Sequence, residues 1–235
     1  MKKAIFFDVD DTLYDHLIPF RTAVQPWTEQ LHAFPYEQAY QRMRFYSDML
    51  SLELGGAGQM EEGDSTNLMR RKRFQLALKE FSIELTEQEA ERVQQAYLAC
   101  QFNIVCYEGA KELLIELQEQ GHEVGLLTNG AEAHQWKKIQ ALGMDKIIPK
   151  QRIFISGVYG MDKPDPGIFQ LINRETGIAA KQSIYVGDSW RNDVVGANQA
   201  GWQVVWFNCR GMKREAGMSL LGEAKNYEEL RQYFI

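Results

Sequence analysis

The chain has 235 residues, 45% hydrophobic and 25% charged, as expected of a globular protein with one large domain or a core carrying an inserted module. Its net charge of -6 gives no basic footprint for a nucleic-acid polymer or an anionic membrane, and no stretch approaches the roughly 18 apolar residues of a membrane span. Cys100, Cys106 and Cys209 are an odd set without C-x-x-C spacing, which reads as reduced thiols in a cytoplasmic protein, buried as small apolar residues.

The chain opens on Ala4-Ile5-Phe6-Phe7, a short apolar run that predicts a strand buried on both faces. It runs into Asp8-Val9-Asp10-Asp11-Thr12-Leu13. Carboxylates there belong at the C-terminal edge of a sheet, where open α/β folds bind ligands. Asp8 and Asp10 share a parity on an extended chain and can address one site. Held that close they repel unless a cation lies between them.

From about Pro19 to Asn103 the pattern is helical. Pro19-Phe20 opens one helix, with Ala23, Val24, Trp27 and Leu31 as its stripe. Tyr36 to Leu54 reads as a second, and Gly55-Gly56-Ala57-Gly58 as a break. A third follows Ser65-Thr66-Asn67, and the capping box Thr86-x-x-Glu89 starts a fourth. Four such helices predict a small bundle, with Trp27, Tyr40 and Phe45 in its core and Arg70-Arg71-Lys72-Arg73 on a solvated face. Tyr14 and His16 are expected at the site entrance or the surface.

From Cys106 helices and strands alternate. Helices span Glu108 to Gln120, Glu132 to Leu142 and Asn192 to Ala200, and Asp165 caps another that begins at Pro166. Strands are Glu123 to Leu127, Arg152 to Ile155, Ser183 to Val186 and Gln203 to Phe207, and a final helix runs from Tyr227 to Tyr233. This rhythm predicts an α/β fold, a three-layer, doubly wound parallel sheet. Its core is residues 1–14 and 105–235, and residues 15–104 are an inserted helical module.

Thr128 and Asn129 follow one strand and Asp188 another, while Lys163 precedes the Asp165 helix. Parallel strand ends lie side by side, so these groups can meet Asp8 and Asp10. Carboxylates, a hydroxyl and an ammonium suit phosphoryl transfer through an aspartyl phosphate. An all-oxygen acidic set favours Mg2+, and no His/Cys cluster suggests zinc.

Asp8-x-Asp10-x-Thr12, Thr128-Asn129, Lys163 and Gly187-Asp188-x4-Asp193, in that order, resemble the four motifs of the haloacid dehalogenase (HAD) superfamily. The helical insert is similar to that superfamily's C1-type cap. The resemblance implies that Asp8 is the nucleophile and a Mg2+ ligand, and that Asp10 is the general acid/base, its backbone carbonyl binding the metal. Thr128 with the Asn129 amide would hold the phosphoryl oxygens, and Lys163 would bridge Asp8 and the phosphate. Asp188 would be the third metal ligand and Asp193 an outer partner of the metal or of Lys163.

The resemblance further implies a phosphatase rather than a dehalogenase, since the carbon-acting members lack the Asp10 equivalent. It implies as substrate a small phosphorylated metabolite, expected to be a nucleoside 5'-monophosphate, or alternatively a sugar phosphate or phosphoglycolate. A phosphomutase, a phosphoryl-accepting signalling module and a binding protein on an enzyme-like core are the competing readings. The protein is expected to be a monomer or homodimer without nucleic-acid or membrane partners.

Overall fold

The computed structural model describes residues 2–56 and 63–234. The chain divides into two compact units, Met1–Asp15 with Val105–Ile235, and His16–Ile104. No helix among the described residues is long and apolar enough to cross a membrane.

The second unit is built from α1 (Leu17–Thr28), α2 (Tyr36–Glu53), α3 (Asp64–Lys79) and α4 (Glu87–Cys100). Phe20, Tyr40, Phe74 and Tyr97 are fully buried at its centre. The Thr86–Glu89 capping box forms as expected and starts α4. Helix α1 begins at Leu17, so Pro19 falls in the first turn, where its missing N–H costs no helical bond. Leu31 lies past the end of α1 and is exposed. Residues Ala57 and Gly58 of the expected break lie outside the described residues.

Several side chains depart from expectation in this unit. His16 is buried, not at the surface: its Nε2 shares a 2.7 Å hydrogen bond with the Tyr97 hydroxyl, and the two rings stack. The basic run on α3 is not a uniformly solvated face. Arg73 donates to Ser47 Oγ and Gln94 Oε1 and lies against the rings of Phe74 and Tyr97, tying α3 to α2 and α4. Arg71 pairs with Glu91. Phe45 is exposed rather than in the core.

The first unit is a six-stranded parallel sheet in the order β3-β2-β1-β4-β5-β6. Its strands are β1 (Ala4–Phe7), β2 (Glu123–Thr128), β3 (Ile153–Ile155), β4 (Ser183–Gly187), β5 (Gln203–Phe207) and β6 (Gly222–Ala224). The short strand β6 is absent from the sequence reading because Gly222-Glu223-Ala224 carries neither alternation nor an apolar run. β1 lies between β2 and β4, with Phe7 level with Leu126 on one side and Val186 on the other. The order reverses at β1, so Asp8 and Asp188 emerge together where doubly wound sheets bind ligands.

Phe6, Tyr185 and Trp206 point to one face of the sheet, packed with Ile168, Phe169 and Ile172 of α8 (Pro166–Thr176) and with Trp190, Val194 and Trp202. Strand parity sends Ile5 and Phe7 to the other face, which α5 (Ala110–Glu119) and α10 (Tyr227–Arg231) complete. Between these come α6 (Glu132–Ala141), the short α7 (Ser156–Tyr159) and α9 (Gly196–Gln199). The cysteines are half-buried rather than buried.

Gly125 in β2 shows how tightly the sheet is packed. A Cβ there would overlap both the Phe6 ring and the Arg152 carbonyl oxygen, and the carbonyl belongs to backbone that cannot yield. Gly125→Ala is expected to destabilise the protein by at least about 2 kcal/mol, measured by urea denaturation.

Candidate active site

Asp8 continues the β1 ladder, donating its N–H to Val186 O at 2.9 Å. Its carboxylate meets Lys163, whose ammonium uses all three N–H bonds: to Asp8 Oδ1 at 2.6 Å, Asp193 Oδ1 at 2.6 Å and the Tyr185 hydroxyl at 2.7 Å. The Tyr185 hydroxyl in turn donates to Leu127 O at 2.7 Å. Lys163, Asp8 and Asp193 are all buried. Burial alone would drive the Lys163 proton off, but Asp193 and Asp8 outweigh it and hold the ammonium charged above its ordinary range. Burial pushes the Asp8 carboxyl up; Lys163 opposes this, while Asp193 and Asp10 add to it.

Asp193 reaches this place because the chain after β4 does not enter the regular helix expected from Asn192. Residues Trp190–Val195 form a wide π-helical turn, with the N–H groups of both Asp193 and Val194 bonded to Ser189 O. Asp193 Oδ2 then accepts from Ser189 N at 2.8 Å. A Cβ on Gly187 would overlap the Asp193 carboxylate, so the glycine of the Gly187-Asp188 pair is required by this packing.

Asn129 does not direct its side chain outward. Its Oδ1 accepts from Lys163 N and its Nδ2 donates to Lys163 O, both at 2.8 Å, a two-point clamp on the backbone that carries the ammonium. Gln135 of α6 donates in turn to Asn129 O at 2.9 Å. Thr128 is buried at the end of β2. Ser156 accepts from Gly130 N and donates to Asp162, fixing the turn that follows.

Asp10 is about one-fifth exposed. Both of its oxygens are bonded to Nζ of Lys138, at 2.9 and 2.8 Å, and Oδ1 also accepts from the Tyr14 hydroxyl at 2.6 Å. Asp11, in a left-handed conformation at φ 60°, is buried against Arg210, which also reaches Asp15.

Asp8, Asp188 and Asp193 each bring a carboxylate oxygen within 4.8 Å of the others. Both oxygens of Asp193 are spent on Lys163 and Ser189 N. Asp8 and Asp188 would therefore hold a cation as side-chain ligands. An all-oxygen, strongly acidic set of this kind fits a hard divalent cation.

The family model for haloacid dehalogenase-like hydrolases matches residues 2–201. The chain belongs to that family. Among curated HAD relatives, a glyceraldehyde 3-phosphate phosphatase of Pyrococcus abyssi is 28% identical over 208 residues, covering 88% of this chain and 82% of the relative. The pyrimidine 5'-nucleotidase PynA of Streptococcus pneumoniae is 28% identical over 137 residues, 58% of this chain and 56% of the relative. Among solved structures, the HAD-hydrolase YfnB of Bacillus subtilis, bound to magnesium, has a TM-score of 0.72 at 24% identity and covers 100% of this chain and 99% of that one.

All seven residues singled out by the HAD motifs lie in the sheet unit. Asp8, Lys163, Asp188 and Asp193 form one cluster, Asp10 stands two residues on from Asp8, and Asn129 acts through Lys163's backbone. Motif reading missed Lys138, Gln135 and Arg210 and set Tyr14 at an entrance, although Tyr14 is buried. Lys138 had a signal: Ile139 and Leu142 mark the buried face of α6, and a lysine and a glutamine fall on that face with them. Arg210 had none, because it lies in a turn outside any helix or strand and meets Asp11 across 199 residues.

Asp193→Ala would leave a buried ammonium with one carboxylate instead of two. It is expected to cost about 3–5 kcal/mol, read as a lower urea midpoint at unchanged slope.

Proposed function

We propose that this HAD-type phosphoric monoester hydrolase is a Mg2+-dependent phosphatase that turns over a small phosphorylated metabolite through an aspartyl phosphate on Asp8. The observation that carries the reading is the buried Lys163 ammonium bonded to Asp8, with the Asp10 carboxylate held beside it. In the first half-reaction an Asp8 oxygen attacks phosphorus, the ester P–O bond breaks, and Asp10 gives its proton to the departing alkoxide. In the second, Asp10 takes a proton from water as the water oxygen attacks phosphorus. The bond to Asp8 then breaks, inorganic phosphate leaves, and both side chains are restored. Lys163 offsets the negative charge on Asp8 and on the phosphoryl oxygens, and Thr128 with the Asn129 N–H receives those oxygens. Bound to Asp8, Asp188 and the Asp10 carbonyl, Mg2+ would neutralise phosphoryl charge and keep the buried Asp8 ionised. Asp193 serves as the fixed partner of Lys163. The helical insert acts in this reading as the cap that selects the leaving group.

The near-full-length likeness to a triose-phosphate phosphatase supports a sugar phosphate as the first candidate substrate. The shorter likeness to a pyrimidine 5'-nucleotidase supports a nucleoside 5'-monophosphate as the second. Phosphate release is to be measured on triose and hexose phosphates, nucleoside monophosphates, phosphoglycolate, phosphoserine and an aryl phosphate, with Mg2+ and with EDTA. Release should need Mg2+, vanish in Asp8→Asn, and fall about 10²–10⁴-fold in Asp10→Asn. The ranking assigns the substrate class. Mg2+-dependent formation of a lasting acyl phosphate without turnover would favour the signalling module instead, and substantial activity in Asp8→Asn would remove the nucleophile assignment.

A further inference from the structure

Resting on the phosphatase reading, we propose that Lys138 is a positioning residue of the reaction, holding the Asp10 carboxylate from behind, together with Tyr14, in the orientation from which it exchanges protons with the leaving group and with water.

Lys138 is only 2% exposed, a rare state for a lysine, and its ammonium spans both Asp10 oxygens at 2.9 and 2.8 Å. The partner it serves has no need of it for solvation, since the Asp10 side chain is 21% exposed and water can reach it. The costly member of this pair is the buried lysine. A buried ion pair adds little net stability over an apolar pair of the same size. What the pair does supply is direction. Two N–H bonds from Lys138, and an O–H bond from the Tyr14 hydroxyl at 2.6 Å, fix the plane of the carboxylate. Tyr14 is itself fixed, buried and bridged to both Asp10 and Cys106.

The same helix face sets the other half of the site. Gln135, three residues before Lys138 on α6, holds Asn129 O, and Asn129 clamps the backbone of Lys163. One rigid helix thus keeps the proton carrier and the ammonium at Asp8 in a common register. Displacement of a reacting group by about 1 Å costs on the order of 10²-fold in rate.

The test compares wild type, K138M, K138R, Tyr14→Phe and Asp8→Asn on two substrates. One is p-nitrophenyl phosphate, whose leaving group needs little protonation; the other is the best alkyl phosphate from the panel. K138M is expected to lose about 10–100-fold in kcat/KM on the alkyl phosphate and clearly less on the aryl phosphate. K138R should recover part of the loss. Tyr14→Phe should show the same leaving-group dependence in milder form, which keeps the test open if K138M fails to fold. Wild-type kcat/KM on the alkyl phosphate in both K138M and Tyr14→Phe overturns the inference, as does an equal loss of kcat/KM on both substrates, because kcat/KM reports the steps up to transfer to Asp8 and not the shared hydrolysis of the aspartyl phosphate. Either result leaves the phosphatase reading standing so long as Asp8→Asn is inactive. No turnover by wild type, or full activity in Asp8→Asn, overturns both.

Discussion

A lysine ammonium out of contact with water survives only if every proton finds an acceptor and its charge finds an opposite one. Lys163 meets that condition with Asp8, Asp193 and Tyr185, and much of the catalytic unit is arranged to deliver those three. Tyr185 comes from within β4 and Asp8 from the end of β1, so the pairing of those two central strands is a requirement of the ammonium. Asp193 comes from the π-helical turn, which needs a bare Gly187 beneath it. Asn129 holds the lysine's backbone at both its N–H and its carbonyl. Removing any one of these leaves a buried charge or a misplaced chain.

The site therefore contains two lysine–aspartate pairs of different character. Lys163 with Asp8 and Asp193 is buried on both sides and concentrates charge where phosphorus would be attacked. Lys138 with Asp10 is buried on the lysine side, while the carboxylate side is partly exposed. The first suits stabilising charge and the second suits moving a proton. Helix α6 and the turn after β2 couple them mechanically, through Gln135 and Asn129.

The helical unit follows a different logic. Its interior is aromatic, with Phe20 stacked on Phe74 and Tyr40 and Tyr97 packed against them. Arg73 and His16 are satisfied within that interior by Ser47, Gln94 and Tyr97. Polar groups in such a place demand specific partners and so help select one packing among many. Arg73 lay hidden in a run of four basic residues, where local reading assigns the whole run to solvent.

The strand ends, the helices and the capping residues were legible in the chain because each rests on local signals: an apolar run into Asp8, the Thr86–Glu89 box, Asp165 before Pro166. The meeting of Asp8, Asp188 and Asp193 with Lys163 was legible because motifs place these residues at strand ends and in the loops beside them. The pairing of Asp10 with Lys138, the inward turn of the Asn129 side chain, the wide turn under Asp193 and the Arg210–Asp11 bridge were not. Each depends on groups far apart in sequence meeting in a dry, close-packed volume, where the position of one hydrogen-bond donor is decided by all of its neighbours at once. By itself the sequence determined which residue types arrive at the edge of the sheet. The tertiary structure decided which of them face each other, because burial makes an unpartnered charge too costly to keep.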